Sequence, residues 1–284
     1  MPEVVSPQKS SLNVACIQMT SGVDIQENIH MAAEFVKEAA KNGAEFISTP
    51  ENTGAIIHDS KVRYNTAFTE EDHPAISAFS NLANSLNIWL LIGSLATKAS
   101  GTKLANRSYL FNPDGETAAV YQKIHMFAVD LPTGESHREA DYMEPGSKAV
   151  IAQMPKARLG MTICYDMRFP HMYRQMAVNG AEIFAVPSAF TVPTGRAHWH
   201  VMLRARAIET GCFMVAPAQC GTHDGGRQTY GHSIIIDPWG RILAEAEEKP
   251  EIIYAELDLN LINESRKSLA QLQHDREYEI EKTG

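Results

Sequence analysis

The stretch that decides the fold is residues 158–176, Arg-Leu-Gly-Met-Thr-Ile-Cys-Tyr-Asp-Met-Arg-Phe-Pro-His-Met-Tyr-Arg-Gln-Met. Residues 159–163 are a short apolar run typical of a buried strand, and Phe169-Pro170 is a helix start signal. Cys164 lies at the junction of the two elements. We therefore expect its thiol to be displayed at a strand-to-helix turn, where backbone N–H groups can hold an oxyanion and the helix N-terminus favours a thiolate.

Residue type alone supports another interpretation of Cys164, because free cysteines are among the most buried residues. An inert core position has no need of polar neighbours, yet Tyr165, Asp166 and Arg168 follow immediately. This pattern favours a functional cysteine. Asp166 and Arg168 are more typical of a turn scaffold than of reacting groups.

The composition is that of an ordinary globular protein, with 284 residues, 44% of them hydrophobic and 21% charged. The four cysteines have no paired short spacing, so neither a disulfide framework nor a Cys-x-x-Cys site is indicated. We expect a cytoplasmic location, because residues 1–10 lack the apolar core of a signal peptide and no apolar run could span a membrane. The net charge of −9 argues against nucleic acid or an anionic membrane as a partner.

The first half of the chain alternates strand and helix patterns after a loose N-terminal arm over residues 1–10. Strands are predicted at residues 12–19, 45–49 and 88–95, and helices at residues 24–43 and 72–87. Two further strands flank Pro113-Asp114-Gly115, which predicts a hairpin because Gly115 supplies the positive φ of the turn.

The second half repeats this order of elements. Residues 42–45 recur as 179–182, each time between a helix pattern and a short strand that ends in proline. Residues 108–115 recur as 233–240. Two marker pairs in the same order indicate an internal duplication. Each half would form a sheet with helices on one face, and the bare sheet faces would pack together. The predicted fold class is α/β, a four-layer α-β-β-α sandwich with two internally similar halves.

Three reactive side chains close or follow predicted strands, namely Glu51, Lys123 and Cys164. The carboxyl ends of strands form the ligand crevice in open α/β sheets, so these side chains could converge. A cysteine is a poor nucleophile at neutral pH without a base or a nearby cation, and the other two residues could supply both. A solvated loop carboxylate and an ordinary strand-end lysine are the alternatives that the pattern leaves open.

Several histidines suggest a metal site that their spacing does not favour. His198 and His200 are two residues apart on a predicted helix and would point to different faces, and His223 and His232 add no third ligand at a telling spacing. We expect no metal. Cys220 lacks a matched base and is expected to be structural.

Three motifs resemble the signatures of the nitrilase superfamily of carbon–nitrogen hydrolases. They are residues 49–52 around Glu51, 121–127 around Lys123 and 160–170 around Cys164, and the resemblance runs from about residue 12 to residue 258. Further stretches are similar to the Nit branch, which includes deaminated glutathione amidases and ω-amidases. These stretches are residues 196–209, 219–221, 230–233 and 237–240.

The resemblance implies a mechanism. Glu51 would be the general base for the nucleophile Cys164, and Lys123 would hold the oxyanion together with the backbone N–H of Tyr165. Cys164 and Glu51 would titrate as a coupled pair, in which the lysine offsets the repulsion between thiolate and carboxylate. The sequence does not decide which of the two groups holds the proton. Glu139 matches a second glutamate that orients the lysine, with Glu135 as the less favoured alternative.

The substrate pocket is expected to involve Tyr165, Arg168, His125 and Phe127, with Arg168 available to a carboxylate. Residues 128–142 and 192–200 would line it. Two departures from the family pattern flank Glu139, since Ala128 stands where Asp is frequent and Ala140 stands where Ser is common.

The resemblance implies an amidase that releases ammonia from a small carboxylate-bearing amide through a thioester, with water and without metal or organic cofactor. A nitrile or N-carbamoyl amino acid hydrolase would use the same triad. A catalytically silent scaffold of the same fold would have lost a triad residue, and all three are present.

A single domain is expected over residues 11–258, followed by a helical tail over residues 259–284. The family pairs subunits through helices near the nucleophile, and the helix after Cys164 carries apolar Met172, Met176 and Ala177. We therefore expect a homodimer, or a tetramer formed by two such dimers, with the charged tail crossing to the partner.

Overall fold

The structure is a computed structural model that describes residues 11–130 and 136–283. The predicted N-terminal arm and Glu135 lie outside the described residues. In chain order the strands are β1 (Ser11–Gln18), β2 (Phe46–Ser48), β3 (Trp89–Lys98), β4 (Leu104–Phe111), β5 (Thr117–Gln122), β6 (Ala128–Asp130), β7 (Ser136–Arg138), β8 (Val150–Gln153), β9 (Arg158–Met161), β10 (Ile183–Ala185), β11 (Phe213–Ala216), β12 (Cys220–Thr222), β13 (Gln228–Tyr230), β14 (Ile234–Ile236), β15 (Ile242–Glu245) and β16 (Glu251–Asp258). The α-helices are α1 (Ile25–Lys41), α2 (Ser60–Thr66), α3 (Pro74–Leu86), α4 (Pro170–Val178), α5 (Val192–Thr210) and α6 (Asn260–Ser268).

Two six-stranded sheets have the same pattern of pairing. The first has the order β16-β1-β2-β3-β4-β5 and the second has the order β15-β14-β11-β10-β9-β8. In each sheet three consecutive parallel strands are followed by two antiparallel ones, and a further antiparallel strand closes the other edge. The predicted internal similarity of the two halves is therefore present in the topology.

The sheets are packed face to face, with helices outside. The inner cluster joins Leu12 and Leu110 of the first sheet to Leu159 and Ile183 of the second. The outer face of the first sheet packs on α1 and α3, while α4 and α5 cover the second sheet. The four-layer α-β-β-α sandwich is confirmed.

Local sequence explains where α1 and α4 end. Each helix is followed by asparagine and then by a glycine of positive φ, +89° at Gly43 and +100° at Gly180. A residue with a Cβ is strained in that conformation, so the repeated Asn-Gly marks a helix end in both halves. Asp24 caps the start of α1 by accepting hydrogen bonds from the backbone N–H groups of Gln26 and Glu27.

The apolar face of α4 does not form a free surface. Met172, Met176 and Ala177 are at most 5% exposed, because this side of the helix packs on the second sheet. The inference of a subunit interface from these three side chains was therefore wrong.

The tail also differs from its prediction. Its helix ends at Ser268, and the residues after it form a turn and then irregular chain. Arg266 Nη2 donates to the carbonyl oxygen of Ala181 at 2.7 Å, and the Arg174 guanidinium forms an ion pair with Asp275 at 2.9 Å. The charged side chains thus bind the tail to its own chain as far as residue 275.

Candidate active site

Glu51 is placed by the turn that follows β2. The backbone N–H of Thr49 donates to the Leu91 carbonyl at 3.0 Å, and the Thr49 hydroxyl accepts the N–H of Gly93 at 3.0 Å. A Cβ on Gly93 would lie only 2.1 Å from the carbonyl oxygen of Thr49. The missing side chain at residue 93 therefore lets the turn lie directly on β3.

Lys123 lies between two carboxylates. Its Nζ donates to Glu51 Oε1 at 2.8 Å and to both oxygens of Glu139, at 3.2 and 3.0 Å. All three side chains are buried, with residue exposures of 1% for Lys123, 4% for Glu51 and 6% for Glu139. The alternatives of a solvated glutamate and an ordinary strand-end lysine are thereby excluded.

Glu139 lies in a short 3-10 helix (Glu139–Asp141) directly after the β6–β7 hairpin. The backbone N–H of Phe127 donates to Glu139 Oε2 at 2.7 Å, and the N–H of Glu139 donates to the Phe127 carbonyl at 2.8 Å. The carboxylate is thus fixed from both sides, by the backbone of one residue and by the ammonium of Lys123.

Asn106 on β4 is a site residue that the sequence analysis missed. Its Nδ2 donates to Glu51 Oε1 at 3.0 Å and to Glu139 Oε1 at 3.4 Å, and the residue is 1% exposed. One amide thus connects the two carboxylates that flank Lys123. A polar residue inside a buried strand was the available signal for this role.

Cys164 begins a short 3-10 helix (Cys164–Arg168) and has a φ of +49°, while Ile163 before it is extended. Its backbone N–H donates to the Pro187 carbonyl at 2.9 Å. A positive φ is uncommon for a side chain of this kind, and such strained positions concentrate at functional sites. The thiol is less displayed than predicted, since the residue is only 7% exposed and faces a pocket.

Asp166 holds the turn that carries Cys164. Its Oδ2 accepts the Ile163 N–H at 2.9 Å and the Tyr121 hydroxyl at 2.7 Å, and its Oδ1 accepts the His125 N–H at 3.1 Å. The carboxylate is fully buried. This geometry agrees with the predicted scaffold role and connects the turn to the strand that leads into Lys123.

The electrostatics of the site favour a thiol at Cys164, where the sequence left the location of the proton open. Burial and the charge of Glu51 raise the pKa of the Cys164 thiol, and the opposing effect of Lys123 is too small to cancel them. Burial also raises the pKa of Glu51, but the charge and hydrogen bond of Lys123 outweigh it, so the pKa of Glu51 is lowered. For Lys123, burial lowers the pKa and the two glutamates raise it well above its ordinary value. The resting site therefore holds a thiol, a carboxylate and an ammonium.

The thiol opens into a pocket of about 600 Å³, counting the space at its mouth. Besides the buried network, the lining contains aromatic side chains and three arginines. The residues in question are Phe127, Tyr142, Tyr165, Phe190, Arg63, Arg168 and Arg227. An apolar wall with several cations suits a small substrate that carries negative charge.

Three of the four predicted substrate contacts lie in this lining, namely Tyr165, Arg168 and Phe127. His125 does not. Its ring stacks on Phe169 at a centroid distance of 3.5 Å, and its Nδ1 lies 2.7 Å from Asp166 Oδ1. The histidine therefore supports the nucleophile turn rather than the pocket.

The departures at Ala128 and Ala140 do not reach the pocket, since neither residue is among those that line it. Of the loops expected to line the pocket, Glu139, Tyr142 and Thr194 do so among the described residues. Residues 55–57, Arg63 and Arg227 also line the pocket and were not predicted, because they come from segments that carry none of the three motifs.

The comparisons with known proteins agree with this geometry. Residues 13–267 match the family described as Carbon-nitrogen hydrolase. A deaminated glutathione amidase from Synechocystis sp. is 37% identical over 265 residues, covering 92% of this chain and 96% of the relative. Nit3 of Saccharomyces cerevisiae, a member of branch 10 of the nitrilase superfamily, has a structure that aligns with a TM-score of 0.82 at 31% identity, covering 93% of this chain and 97% of Nit3.

A further solved structure is that of an amidase from Nesterenkonia sp., which shows the result of Michael addition of acrylamide at the active site cysteine. It aligns with a TM-score of 0.77 at 25% identity and covers 92% of this chain and 98% of that amidase. The chain belongs to the carbon–nitrogen hydrolase family, and the predicted resemblance to the nitrilase superfamily is confirmed. It is accordingly an enzyme that hydrolyses a carbon–nitrogen bond.

Proposed function

We propose that this enzyme is an amidase for a small amide that carries a carboxylate, with Cys164 as its nucleophile. The observation that carries the proposal is the buried network of Glu51, Lys123 and Glu139, which lines one pocket with the thiol. The Synechocystis relative is named for deaminated glutathione, and an amide of that kind or an α-keto ω-amide is the substrate class we propose.

In the first half-reaction, the sulfur of Cys164 attacks the amide carbonyl carbon while Glu51 takes the thiol proton. The lowered pKa of Glu51 keeps it ionised and ready to accept that proton. The oxygen that becomes negative is stabilised by the ammonium of Lys123 and by the backbone N–H of Tyr165. Glu51 then protonates the nitrogen, the C–N bond breaks, and ammonia or an amine leaves a thioester on Cys164.

In the second half-reaction, Glu51 removes a proton from water, and the resulting hydroxide attacks the thioester carbonyl. The C–S bond breaks, the carboxylic acid leaves, and Cys164 regains its proton. Glu139 does not exchange a proton in this scheme. Its charge balances Lys123, which therefore stays protonated beside Glu51 in both steps.

Arg168 is the proposed partner of the substrate carboxylate. Its guanidinium lies 5.7 Å from the ring centroid of Tyr165 and 5.6 Å from that of Phe190. The rings of these two pocket residues therefore restrict the position of the guanidinium group. Its Nη2 lies 3.2 Å from His198 Nδ1. A guanidinium fixed in this way retains donors for a bidentate contact with a carboxylate.

A substrate panel tests the function. Purified enzyme is incubated with α-keto ω-amides, deaminated glutathione, plain nitriles and N-carbamoyl amino acids, and both nitrogen and acid products are measured. Both are needed because a secondary amide releases an amine rather than ammonia. Preferential turnover of the carboxylate-bearing amides is expected. A preference for nitriles or carbamoyl compounds would replace the proposal with the alternative hydrolase, and no turnover of the carboxylate-bearing amides would refute the proposed substrate class.

The role of Arg168 is tested separately with Arg168→Met. We expect KM to rise at least about 10-fold for a carboxylate-bearing amide and to change little for its neutral counterpart, because only the charged substrate loses an ion pair. Arg196→Met is the matched control, since Arg196 is an exposed arginine outside the pocket lining. Equal effects of Arg168→Met on both substrates would exclude the carboxylate contact.

We also propose a homodimer in a reducing, cytoplasmic setting. Exposed apolar side chains remain on the outer helices, with Val178 on α4 at 59% and Val201 on α5 at 70% exposure.

All four cysteines are free, and the mechanism needs one of them as a thiol. Within the described residues, no helix combines the length and the apolar character needed to cross a membrane. Light scattering that gives the 31.4 kDa mass of one chain with full activity would exclude the dimer.

A further inference from the structure

A second cluster of metal-ligating side chains lies outside the pocket. It consists of His200 on α5, His232 between β13 and β14, and Glu245 at the end of β15. One ligand atom from each of the three lies within 4.8 Å of the other two. We propose that this cluster, the His200–His232–Glu245 cluster, binds a divalent transition-metal ion with the preferences of Zn²⁺.

The donor atoms converge on one carboxylate oxygen. His200 Nε2 lies 2.7 Å from Glu245 Oε1, and His232 Nδ1 lies 3.0 Å from the same atom. Two imidazole nitrogens and one carboxylate oxygen are the donor set of many three-ligand zinc sites, which leave a fourth position to water. The side chains are 22–31% exposed, so solvent can supply that water.

A hydrogen bond between α5 and the segment of His232, together with the pairing of β14 with β15, positions the three ligands relative to one another. Trp199, the buried neighbour of His200, donates from Nε1 to the carbonyl oxygen of His232 at 2.7 Å. Glu245 pairs with Ile234 in the β14–β15 ladder, two residues after His232. Helix α5 and the edge of the second sheet therefore bring the donors together through a hydrogen bond and a strand register.

The imidazole rings are also held in orientation. The ring of Tyr230 lies against that of His232 at a centroid distance of 4.4 Å and meets His200 edge-on at 6.2 Å. The second nitrogen of His232 faces Glu248 at 4.0 Å. A carboxylate that accepts a hydrogen bond from the non-coordinating nitrogen is the usual outer partner of a metal-bound histidine. Glu248 would have to come closer than 4.0 Å to take that role.

Sequence spacing could not reveal this site. His198 and His200 do point to different faces of α5, as predicted, because His198 contacts Arg168 whereas His200 contacts Glu245. The third ligand lies on a strand 13 residues after His232, a separation that fits no metal-binding motif. The site is apart from the thiol, since none of its three residues lines the active-site pocket.

The experiment uses the full chain with Cys164→Ala as background, because a thiol beside a glutamate could itself bind zinc. Protein treated with a chelator and then freed of it is titrated with Zn²⁺ by calorimetry and with Co²⁺ by visible absorption. We expect one ion per chain, a tetrahedral Co²⁺ spectrum and a melting temperature that rises with Zn²⁺ concentration. His200→Gln and Glu245→Gln should each weaken binding at least about 100-fold.

His198→Gln is the matched control and should leave Zn²⁺ affinity unchanged, because His198 lies outside the cluster. Circular dichroism of each metal-free variant identifies any that fails to fold. The proposal is overturned if the folded background protein binds no Zn²⁺, or if His200→Gln and Glu245→Gln bind it as tightly as the background does. In the protein with Cys164 intact, the chelator should lower the melting temperature and leave turnover unchanged.

Discussion

The amide nitrogen of Asn106 lies 3.0 Å from Oε1 of Glu51, the same oxygen that accepts a hydrogen bond from Lys123. Two donors thus share one carboxylate oxygen of the proposed base. The other oxygen accepts the backbone N–H of Ala189 at 3.0 Å. Glu51 is consequently held in one orientation and stabilised in its ionised form.

We predict that Asn106→Leu raises the pKa of Glu51 and moves the acid limb of the kcat/KM profile to higher pH. The reason is that a donor to the ionised form is lost, while the base must be ionised to act. A hydrogen bond to a charged group is worth about 1.5–3 kcal/mol, which corresponds to a loss of about 10- to 100-fold in rate. Asn106→Asp should shift the limb further, since it adds a third carboxylate. A lower rate with an unmoved pH profile would limit Asn106 to a structural role.

Cys164→Ala should abolish turnover and leave the fold intact. Loss of a covalent nucleophile typically costs at least about a thousandfold in kcat, and Cys164→Ser should be nearly as poor because a hydroxyl ionises far less readily. Intact-protein mass spectrometry should trap the acyl adduct on the wild type only. Iodoacetamide should label Cys164 during inactivation. Inactivation with label on Cys220 and none on Cys164 would refute the assignment.

Lys123→Met should destabilise the fold as well as stop catalysis. The substitution leaves Glu51 and Glu139 buried without their cation, and removal of one partner from a buried ion pair costs about 3–5 kcal/mol. Glu139→Gln in the same chain should recover part of that loss, because it removes one of the two charges. Lys103→Met is the control, since that ammonium lies at the surface and donates to the Ala140 carbonyl rather than to a buried carboxylate. Urea unfolding measures all four proteins, and equal stability of the two methionine variants would contradict the prediction.

Asp166→Asn should loosen the turn that presents Cys164. The two carboxylate oxygens accept the backbone N–H groups of Ile163 and His125, and an amide can replace only one of them. The orphaned N–H costs about 1–3 kcal/mol. Tyr121→Phe removes the hydroxyl's bond to Asp166 and its bond from the Ile124 N–H, but it leaves the bonds of Asp166 to the Ile163 and His125 N–H groups in place. We expect Asp166→Asn to lower both melting temperature and kcat by more than Tyr121→Phe. Similar values for the two variants would argue against the scaffold role.

The thiol of Cys164 should also affect stability at alkaline pH. Its pKa in the folded protein is raised above the ordinary value of 9.0, so the folded state retains a proton that the unfolded state releases. The contribution of this thiol to the free energy of unfolding is therefore fully present below about pH 9 and is lost as the pH rises through the pKa of the folded state. Relative to Cys164→Ala, the wild type should lose unfolding free energy above about pH 9 and keep it near neutrality. A difference that stays constant into the alkaline range would contradict the raised pKa.

The sequence predicted the sandwich because its markers have direct physical causes. Asn-Gly at residues 42–43 and 179–180 ends a helix in both halves, and apolar runs without polar faces form the inner strands. The end of the tail helix at Ser268 was not predicted, because helical propensity is a weak guide that tertiary contacts override. The contact of Arg266 with a carbonyl of its own chain likewise depends on the fold and on no local pattern.

The candidate site was predictable only where a motif marks it. Glu51, Lys123 and Cys164 lie in the three signature stretches, and Glu139 follows from its place between two of them. Asn106 carries no such mark, and its role depends on strand β4 running beside the lysine strand. The location of the proton in the Cys164/Glu51 pair could not be predicted, because no sequence pattern measures how burial, Glu51 and Lys123 balance at the thiol.

The position of β16 has a consequence for the synthesis of this protein on the ribosome. Residues 251–258 pair with β1 along its whole length, so β1 emerges long before its outer partner is made. Until then β1 presents an open edge on which another chain could pair. Nascent chains that stall before residue 251 should therefore be the species that a chaperone must protect from aggregation, although every residue of the proposed active site has already been made.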